Sequence, residues 1–265
     1  MGSFSNKVIL ITGASSGIGK ALALQIADKD VQIILAARRM DELKSLQEAC
    51  RLKGALCNIL FIDMASPESV ESFVGEVKKQ YGTIDVLINN AGISQRSQAE
   101  ETSLEVDRKI MEVNFFAQVN LTKSLWPLLI NSVHANIVLI SSVVGTFGFP
   151  QRSAYAASKH ALEGFFESWM LENKRQNIRF TTVSPGRIYT NISYSALKAD
   201  GSAHQQLDEG QAKGISAEVC AKKIINGIQY NKRKVYVAHR EMVLVILRKY
   251  IPFLFFRIVK KLKLT

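Results

Sequence analysis

Three observations predict an open, doubly wound α/β sheet for this 265-residue chain. Short β-branched runs alternate with longer segments of helical period, the runs are apolar at consecutive positions, and a glycine-rich turn joins the first run to the first helix. Alternation builds βαβ units and therefore parallel strands, while unbroken apolarity means burial on both faces. Seven strands are read at 8–11, 32–36, 56–62, 84–89, 137–141, 178–183 and 234–237. The helices between them are read at 17–29, 41–53, 67–81, 105–131, 154–174 and 217–230, the third opened by Ser66-Pro67 and the long fourth bent at Pro127. Between 187 and 214 the periodicity lapses around Asp200-Gly201 and Glu209-Gly210. That stretch reads as a lid, since long loops within compact domains tend to carry function. With no repeat or linker to divide it, the chain is read as one domain over 1–238 and a tail over 239–265.

With 47% apolar and 22% charged residues the chain has the material for one large core, which excludes disorder. Its net charge of +11 is compatible with nucleic acid, an anionic membrane or a phosphate-bearing ligand. The distribution decides: residues 232–265 hold ten Lys and Arg against Glu241 alone, a balance of +9, which leaves +2 for everything before them. A nucleic-acid-binding body is therefore not expected. Cys50, Cys57 and Cys220 are odd in number and have no metal-ligand or disulfide spacing, so a reducing, cytoplasmic setting without a bound metal is expected. Met1 to Asn6 are few and polar, so neither a signal peptide nor a membrane span is expected ahead of the first strand.

The turn Thr12-Gly13-Ala14-Ser15-Ser16-Gly17-Ile18-Gly19-Lys20 lies between a strand and a helix. Glycines there let a pyrophosphate approach the backbone, and the N–H groups and dipole of the helix start hold it. The spacing G-x-x-x-G-x-G resembles the fingerprint of the short-chain dehydrogenase/reductase superfamily, and later motifs agree: Asn89-Asn90-Ala91-Gly92, Asn114, Ser142 and Tyr155-x-x-x-Lys159. The resemblance spans residues 7 to about 237. It implies a Rossmann-like sheet and a nicotinamide site formed by Gly13, Ser15, Ser16, Gly17, Ile18, Gly19, Asp63, Met64, Asn90, Ala91, Gly92, Tyr155, Lys159, Pro185, Gly186, Ile188 and Thr190. Asp63 corresponds to the family's adenine-contacting acid, although as a bare sequence feature it equally fits a cap.

An NAD site in this fold carries an acid at the end of the second strand. Here that strand runs into Arg38-Arg39, two guanidiniums suited to the 2′-phosphate of NADP(H), with Arg38 the better placed by resemblance. Asp41 falls in the first turn of the next helix, where the dipole favours an acid whatever the ligand. Tyr155 and Lys159, four residues apart, leave one helix face. The ordinary tyrosine pKa is near 10, and a neighbouring ammonium together with the nicotinamide charge would stabilise the phenolate. By resemblance, Tyr155 exchanges a proton with the substrate oxygen, Lys159 lowers the tyrosine pKa and binds the nicotinamide ribose, Ser142 polarises the carbonyl, Ser141 faces cofactor or sheet, and Asn114 holds a water in the relay. Arg187 departs from the usual small or apolar residue at its position, as a second anion contact or a surface charge.

The substrate end is read from Phe147, Phe149, Pro150, Ser94, Gln95, Tyr189, Ile192, Tyr194 and Leu197, a mostly apolar set that favours a lipophilic carbonyl or secondary alcohol. Between Gly186 and Gly214 the wording Gly-Arg-Ile-Tyr-Thr-Asn-Ile-Ser…Ala-Asp-Gly-Ser resembles the dehydrogenase/reductase member seven branch, whose relatives are membrane-associated and linked to steroid, retinoid and other lipid carbonyls. The tail holds apolar runs at 242–247 and 251–256, split by Arg248-Lys249-Tyr250 and interrupted at Pro252, each far short of the ~20 residues that span a bilayer. Two readings compete. One is a pair of interfacial helices that insert Phe253, Phe255 and Phe256, with lysines up to Lys263 on anionic headgroups at a cytosolic membrane face. The other is a segment packed over the pocket or a second subunit of a homodimer or homotetramer. Against the leading expectation, an NADP-dependent oxidoreductase, stand a cofactor-binding scaffold and a membrane-surface interaction protein, neither of which needs Ser142, Tyr155 and Lys159 together.

Overall fold

Strand β1, Val8–Thr12, is buried at every position, and its alternate side chains enter two separate cores. Ile9 and Ile11 join one, Val8 and Leu10 the other. This is the signature of a sheet covered on both faces, with each fully buried Leu or Ile contributing about 1.5–3 kcal/mol. The computed structural model describes residues 4–261. After β1 come α1 Gly17–Ile26, β2 Gln32–Ala37, α2 Met40–Arg51, β3 Leu56–Phe61, α3 Pro67–Gln80, β4 Val86–Asn89, α4 Leu104–Met111, α5 Ala117–Ser124, α6 Trp126–Ile130 and β5 Ala135–Ile140. The second half holds α7 Ser153–Glu172, β6 Ile178–Pro185, β7 Ile188–Tyr189, α8 Glu209–Ala212, β8 Ile215–Ser216, α9 Ala217–Gln229, β9 Lys234–Val237, α10 Glu241–Tyr250 and α11 Pro252–Val259.

Seven strands form one sheet in the order β3-β2-β1-β4-β5-β6-β9, every neighbouring pair parallel. Helices α1, α2 and α9 cover one face; α3, α5 and α7 cover the other. The winding reverses between β1 and β4, and in such sheets the crevice beyond the strand ends at that reversal binds ligands.

Several sequence-read boundaries shift by a few residues, and two differences are larger. The helix read at 105–131 is three α-helices with a π-helical segment, Glu112–Phe116, between α4 and α5. Pro127 does not bend the last part but stands in the first turn of α6, where its missing N–H is harmless, so the chain breaks at Leu125. The stretch read as a structureless lid contains β7, α8 and β8, and β7 pairs with β8.

The tail folds as α10 and α11, separated at Pro252 as expected. Its aromatic residues divide. Phe255 is 1% exposed and Val259 is buried with Val143, Val144, Phe147, Tyr155 and Ala156, whereas Phe253 and Phe256 face outward. Phe255 meets Phe147 edge-on at 5.3 Å between centroids, the arrangement aromatic quadrupoles prefer. The expectation that Phe255 inserts into a membrane is therefore corrected: it is part of the core. Lys263 lies outside the described residues. Among the described residues no helix is long and apolar enough to cross a membrane.

Candidate active site

A cleft of about 1070 Å³ opens beyond the strand ends. One arm is built by the glycine turn. Gly13 and Gly17 have φ of +63° and +54°, a conformation costly for other residues. A Cβ on Gly13 would stand 2.8 Å from the Ala91 backbone, and one on Gly17 would press Thr190 at 3.1 Å. Ser16 precedes α1 without a side-chain cap, so the first N–H groups of that helix are free for an anion. Gly13, Ser15, Ser16, Gly17, Ile18, Arg38, Arg39, Asp63, Met64, Asn90, Ala91 and Gly92 line this arm, with Pro185, Gly186, Ile188 and Thr190 across from them. This lining fits an extended dinucleotide with its pyrophosphate at α1.

Gly19 is the exception among the glycines. It lies behind the cleft wall, where a Cβ would come within 2.5 Å of the Gly13 carbonyl and 2.6 Å of the Asn90 amide, so it permits close packing of helix on turn. Asn90 in turn donates to the Thr12 carbonyl at 2.9 Å, and Thr12 Oγ1 accepts from the Asn90 and Ala91 N–H groups, which ties the two loops together.

At the end of β2, Arg38 faces Asp63 at 3.9 Å, and its side chain is 60% exposed. Arg39 donates to Ser15 Oγ at 3.0 Å and faces Glu42 at 3.5 Å. Asp63 combines both of its sequence readings, since it lines the cleft and its Oδ1 accepts the Ala65 N–H at 3.0 Å. Asp41 is in the first turn of α2 and pairs with Lys44, away from the ligand arm.

Tyr155 and Lys159 project from α7 at the floor, and Ser142 follows the end of β5 and also lines the cleft. The Ser142 hydroxyl donates to the Pro185 carbonyl at 3.3 Å. Lys159 Nζ donates to the Ile140 carbonyl at 2.9 Å and lies 5.8 Å from the Tyr155 ring centre. Burial lowers the Lys159 pKa to about 8, with Glu163 one turn on opposing the fall. Burial likewise raises the Tyr155 pKa; the groups that pull it back are Ser142, Arg152 and Arg96.

Asn114 is fully buried on the π-helical segment. Its Oδ1 accepts the Ile93 N–H at 2.9 Å, and its Nδ2 donates to the Ile93 carbonyl and Ser158 Oγ. The extra residue of the π turn aims this side chain at the strand end, a common use of such bulges. With the amide committed on both sides, Asn114 braces the loop behind Gly92 instead of lining the cleft. Ser141 lines the cleft, and its hydroxyl is buried without a partner among the described residues.

The substrate arm contains Phe147, Phe149, Pro150, Ser94, Ile192, Tyr194 and Leu197 as read, joined by Leu207 and Leu244. Gln95 and Tyr189 do not line it. Gln95 Oε1 accepts the Ala154 N–H at 2.9 Å and so caps α7, while Tyr189 points outward and is 55% exposed. Arg187 faces Glu241 at 3.8 Å and packs on Gly210, where a Cβ would meet its guanidinium at 2.6 Å; it joins lid to tail.

Three further residues escape sequence reading. Arg96 grips the Asp208 carboxylate through Nε and Nη2, and Arg152 reaches the same carboxylate at 3.1 Å. Their side chains are 6%, 18% and 19% exposed for Arg96, Asp208 and Arg152. Burial and repulsion from Arg96 lower the Arg152 pKa to about 10, and although burial opposes it, the two arginines hold the Asp208 carboxyl below its usual range. No local signal marks this cluster, because its members come from three separate loops.

Comparison with known proteins gives a consistent result. The profile of the short chain dehydrogenase family matches residues 7–200. The chain is 38% identical over 261 residues to Dehydrogenase/reductase SDR family member 7B of Rattus norvegicus, covering 96% of this chain and 80% of that one. It is 40% identical over 260 residues to Dehydrogenase/reductase SDR family protein 7-like of Drosophila melanogaster, with the same coverage of 96% and 80%. A short chain dehydrogenase/reductase from Burkholderia phymatum in complex with NAD has the same fold, with a TM-score of 0.83 at 22% identity over 96% of each chain. An alcohol dehydrogenase from Thermococcus sibiricus complexed with 5-hydroxy-NADP has a TM-score of 0.72 at 26% identity, over 87% of this chain and 93% of that one.

Proposed function

The chain belongs to the short chain dehydrogenase family, in its member 7 branch, and from that premise we propose that it transfers hydride between NADP(H) and a lipophilic secondary alcohol or carbonyl compound. The observation that carries the reading is the convergence of Ser142, Tyr155 and Lys159 on a cleft whose other arm ends in Arg38 and Arg39. Bound NADPH would supply the hydride. Arg38 and Arg39 would hold its 2′-phosphate, and the free N–H groups of α1 its pyrophosphate. Ser142 orients the substrate oxygen, and Tyr155 gives that oxygen a proton in reduction or accepts one in oxidation. Burial keeps the phenol protonated, which suits it to giving the proton. Lys159 carries the charge beside the tyrosine, and Asn114 acts as a positioning residue through the Ile93 loop.

Support for a lipophilic substrate comes from Phe147, Phe149, Ile192 and Leu197 in the cleft wall. We extend the reading to a peripheral site on the cytosolic face of an anionic membrane. The outer face of α10 and α11 exposes Val243, Ile246, Tyr250, Phe253 and Phe256 among Arg248, Lys249, Arg257 and Lys260, while Leu244 of α10 lines the cleft. Exposed Leu104 and Phe116 support assembly as a homodimer or homotetramer, which light scattering would count.

The deciding experiment measures thermal protection by NADPH and NADH at equal concentration, then assays steroid, retinoid and aliphatic carbonyls with the better cofactor. Greater protection by NADPH, lost in Arg38→Ala, is expected; equal protection by both would overturn the NADP assignment. For the membrane site, the double variant Phe253→Glu, Phe256→Glu is expected to abolish sedimentation with anionic liposomes. Unchanged sedimentation would exclude insertion of these two side chains.

A further inference from the structure

The substrate arm holds two largely buried guanidiniums and one largely buried carboxylate, and the proposed hydride transfer uses none of them. A charge out of water is costly unless it is paired. Arg96 is satisfied: Nε and Nη2 go to Asp208, and Nη1 goes to Ser94 Oγ at 2.9 Å and the Gln95 carbonyl at 2.6 Å. Arg152 is not. Of the five N–H donors of a guanidinium, it spends one on Ser94 Oγ at 3.2 Å and one on Asp208 at 3.1 Å, so the other three have no acceptor among the described residues.

The neighbouring groups do not cancel the surplus charge. His204 stands 3.8 Å from Asp208, and burial together with Arg96 lowers its pKa, so it is neutral near pH 7. The other acids on this side of the cleft have partners elsewhere: Glu209 lies 4.0 Å from Lys213, and Glu241 faces Arg187. One positive charge therefore remains inside the arm, with free donors attached. It lies three residues before Tyr155, at the N-cap of α7, in a cleft also lined by Phe147, Phe149 and Leu197. A substrate with an apolar body in this cleft and an anionic group able to reach the N-cap of α7 would meet both features.

We propose that Arg152, buttressed by Arg96, is a receptor for an oxyanion carried by the substrate. The substrate class becomes an amphiphilic keto or hydroxy compound with a carboxylate or phosphate monoester at a distance from the carbon that exchanges hydride. Asp208, on the segment between β7 and α8, occupies part of the receptor and competes with the incoming anion. This inference rests on the reading of the cleft as an oxidoreductase site and refines its substrate.

Calorimetry on the protein saturated with NADP⁺, which cannot reduce a ketone, tests it with four probes: a medium-chain keto acid, its methyl ester, a keto-alkyl phosphate and the corresponding keto alcohol. The expected result is binding at least tenfold tighter for an anion than for its neutral counterpart; the acid or the phosphate arm that shows it identifies the oxyanion. Arg152→Gln is expected to bring that ratio within twofold. Asp208→Asn, which removes the competing carboxylate and keeps the side-chain shape, is expected to tighten the anion several-fold. Anion and neutral probe binding equally well to the native protein would overturn the proposal. So would a weaker anion in Asp208→Asn with no change in Arg152→Gln, the behaviour of a purely structural clasp. The oxidoreductase reading is judged separately, by Tyr155-dependent reduction of the neutral ester with NADPH. Turnover of the ester without an anion preference removes the receptor alone, and an anion preference without any turnover removes the enzyme reading alone.

Discussion

Of the arginines that line the cleft, two pairs stand at opposite ends, and their surroundings set them apart. Arg38 and Arg39 are half exposed or more, with ion pairs of 3.9 and 3.5 Å to single carboxylates. Arg96 and Arg152 are largely buried, converge on one carboxylate and share Ser94. Exposed pairs of that length contribute about 0–1 kcal/mol and are screened by salt, so the first two side chains are free to reorganise around a ligand. The second two are fixed in place before any ligand arrives. A guanidinium in water can recruit an anion at little structural cost; one held in a wall can discriminate, but the fold depends on it.

The steepest test of the contrast lies between the two pairs. Tyr155→Phe removes the hydroxyl proposed to exchange the proton, and turnover with NADPH is expected to fall by about 10²–10⁴ while NADPH binding, read by its fluorescence, is retained. If both survive, the cleft's two ends do not meet at this tyrosine. Next in size, Arg96→Met leaves Asp208 buried with one partner instead of two and is expected to cost about 3 kcal/mol, a drop in Tm of roughly 6–12 °C by scanning calorimetry. Arg38→Ala is expected to change stability by less than about 0.5 kcal/mol. Equal losses from these two variants would erase the distinction between the pairs.

Arg38→Ala should instead appear in cofactor choice. Loss of a charged hydrogen bond of about 1.5–3 kcal/mol weakens NADPH by about tenfold or more, with little effect on NADH. The preference should also shrink as salt rises, which titration at two ionic strengths would show. The smallest effect concerns acid. The Asp208 carboxyl is held below its unfolded value near 3.9 by Arg96 and Arg152, so its contribution to stability is present above about pH 4 and is lost as pH falls through the folded value. The stability gap between the native protein and Asp208→Asn should accordingly narrow below about pH 4 in urea titrations. A gap independent of pH would mean that Asp208 acts through shape and not through charge.

The seven parallel strands were legible because each is a β-branched run long enough to register, and the glycine turn and the Tyr155-Lys159 spacing were legible because their chemistry is local. What the sequence concealed was either short or distant. Strands β7 and β8 have two residues each, below any detectable period. The π turn at Asn114 shifts the helical face by a single residue within an otherwise regular pattern. Arg96 and Asp208 are 112 positions apart and Arg152 and Asp208 are 56, so only the folded chain reveals their meeting. The aromatic tail was ambiguous for another reason: Phe253, Phe255 and Phe256 have the same composition, and only helix phase sends the middle one inward.

That inward phenylalanine has a consequence for the order in which the molecule can be completed. Phe255 lies near the end of the chain, yet it shares a buried cluster with Tyr155, which is synthesised a hundred residues earlier. A nascent chain that has emerged as far as Val237 already possesses all seven strands of the sheet, but the floor beside its tyrosine still lacks the ring that seals it. Catalytic competence should thus trail formation of the sheet during synthesis. A translation product stopped at Ala238 is expected to show strand and helix signals without the turnover proposed for the chain that includes α11, so formation of the sheet and completion of the site floor are separate events.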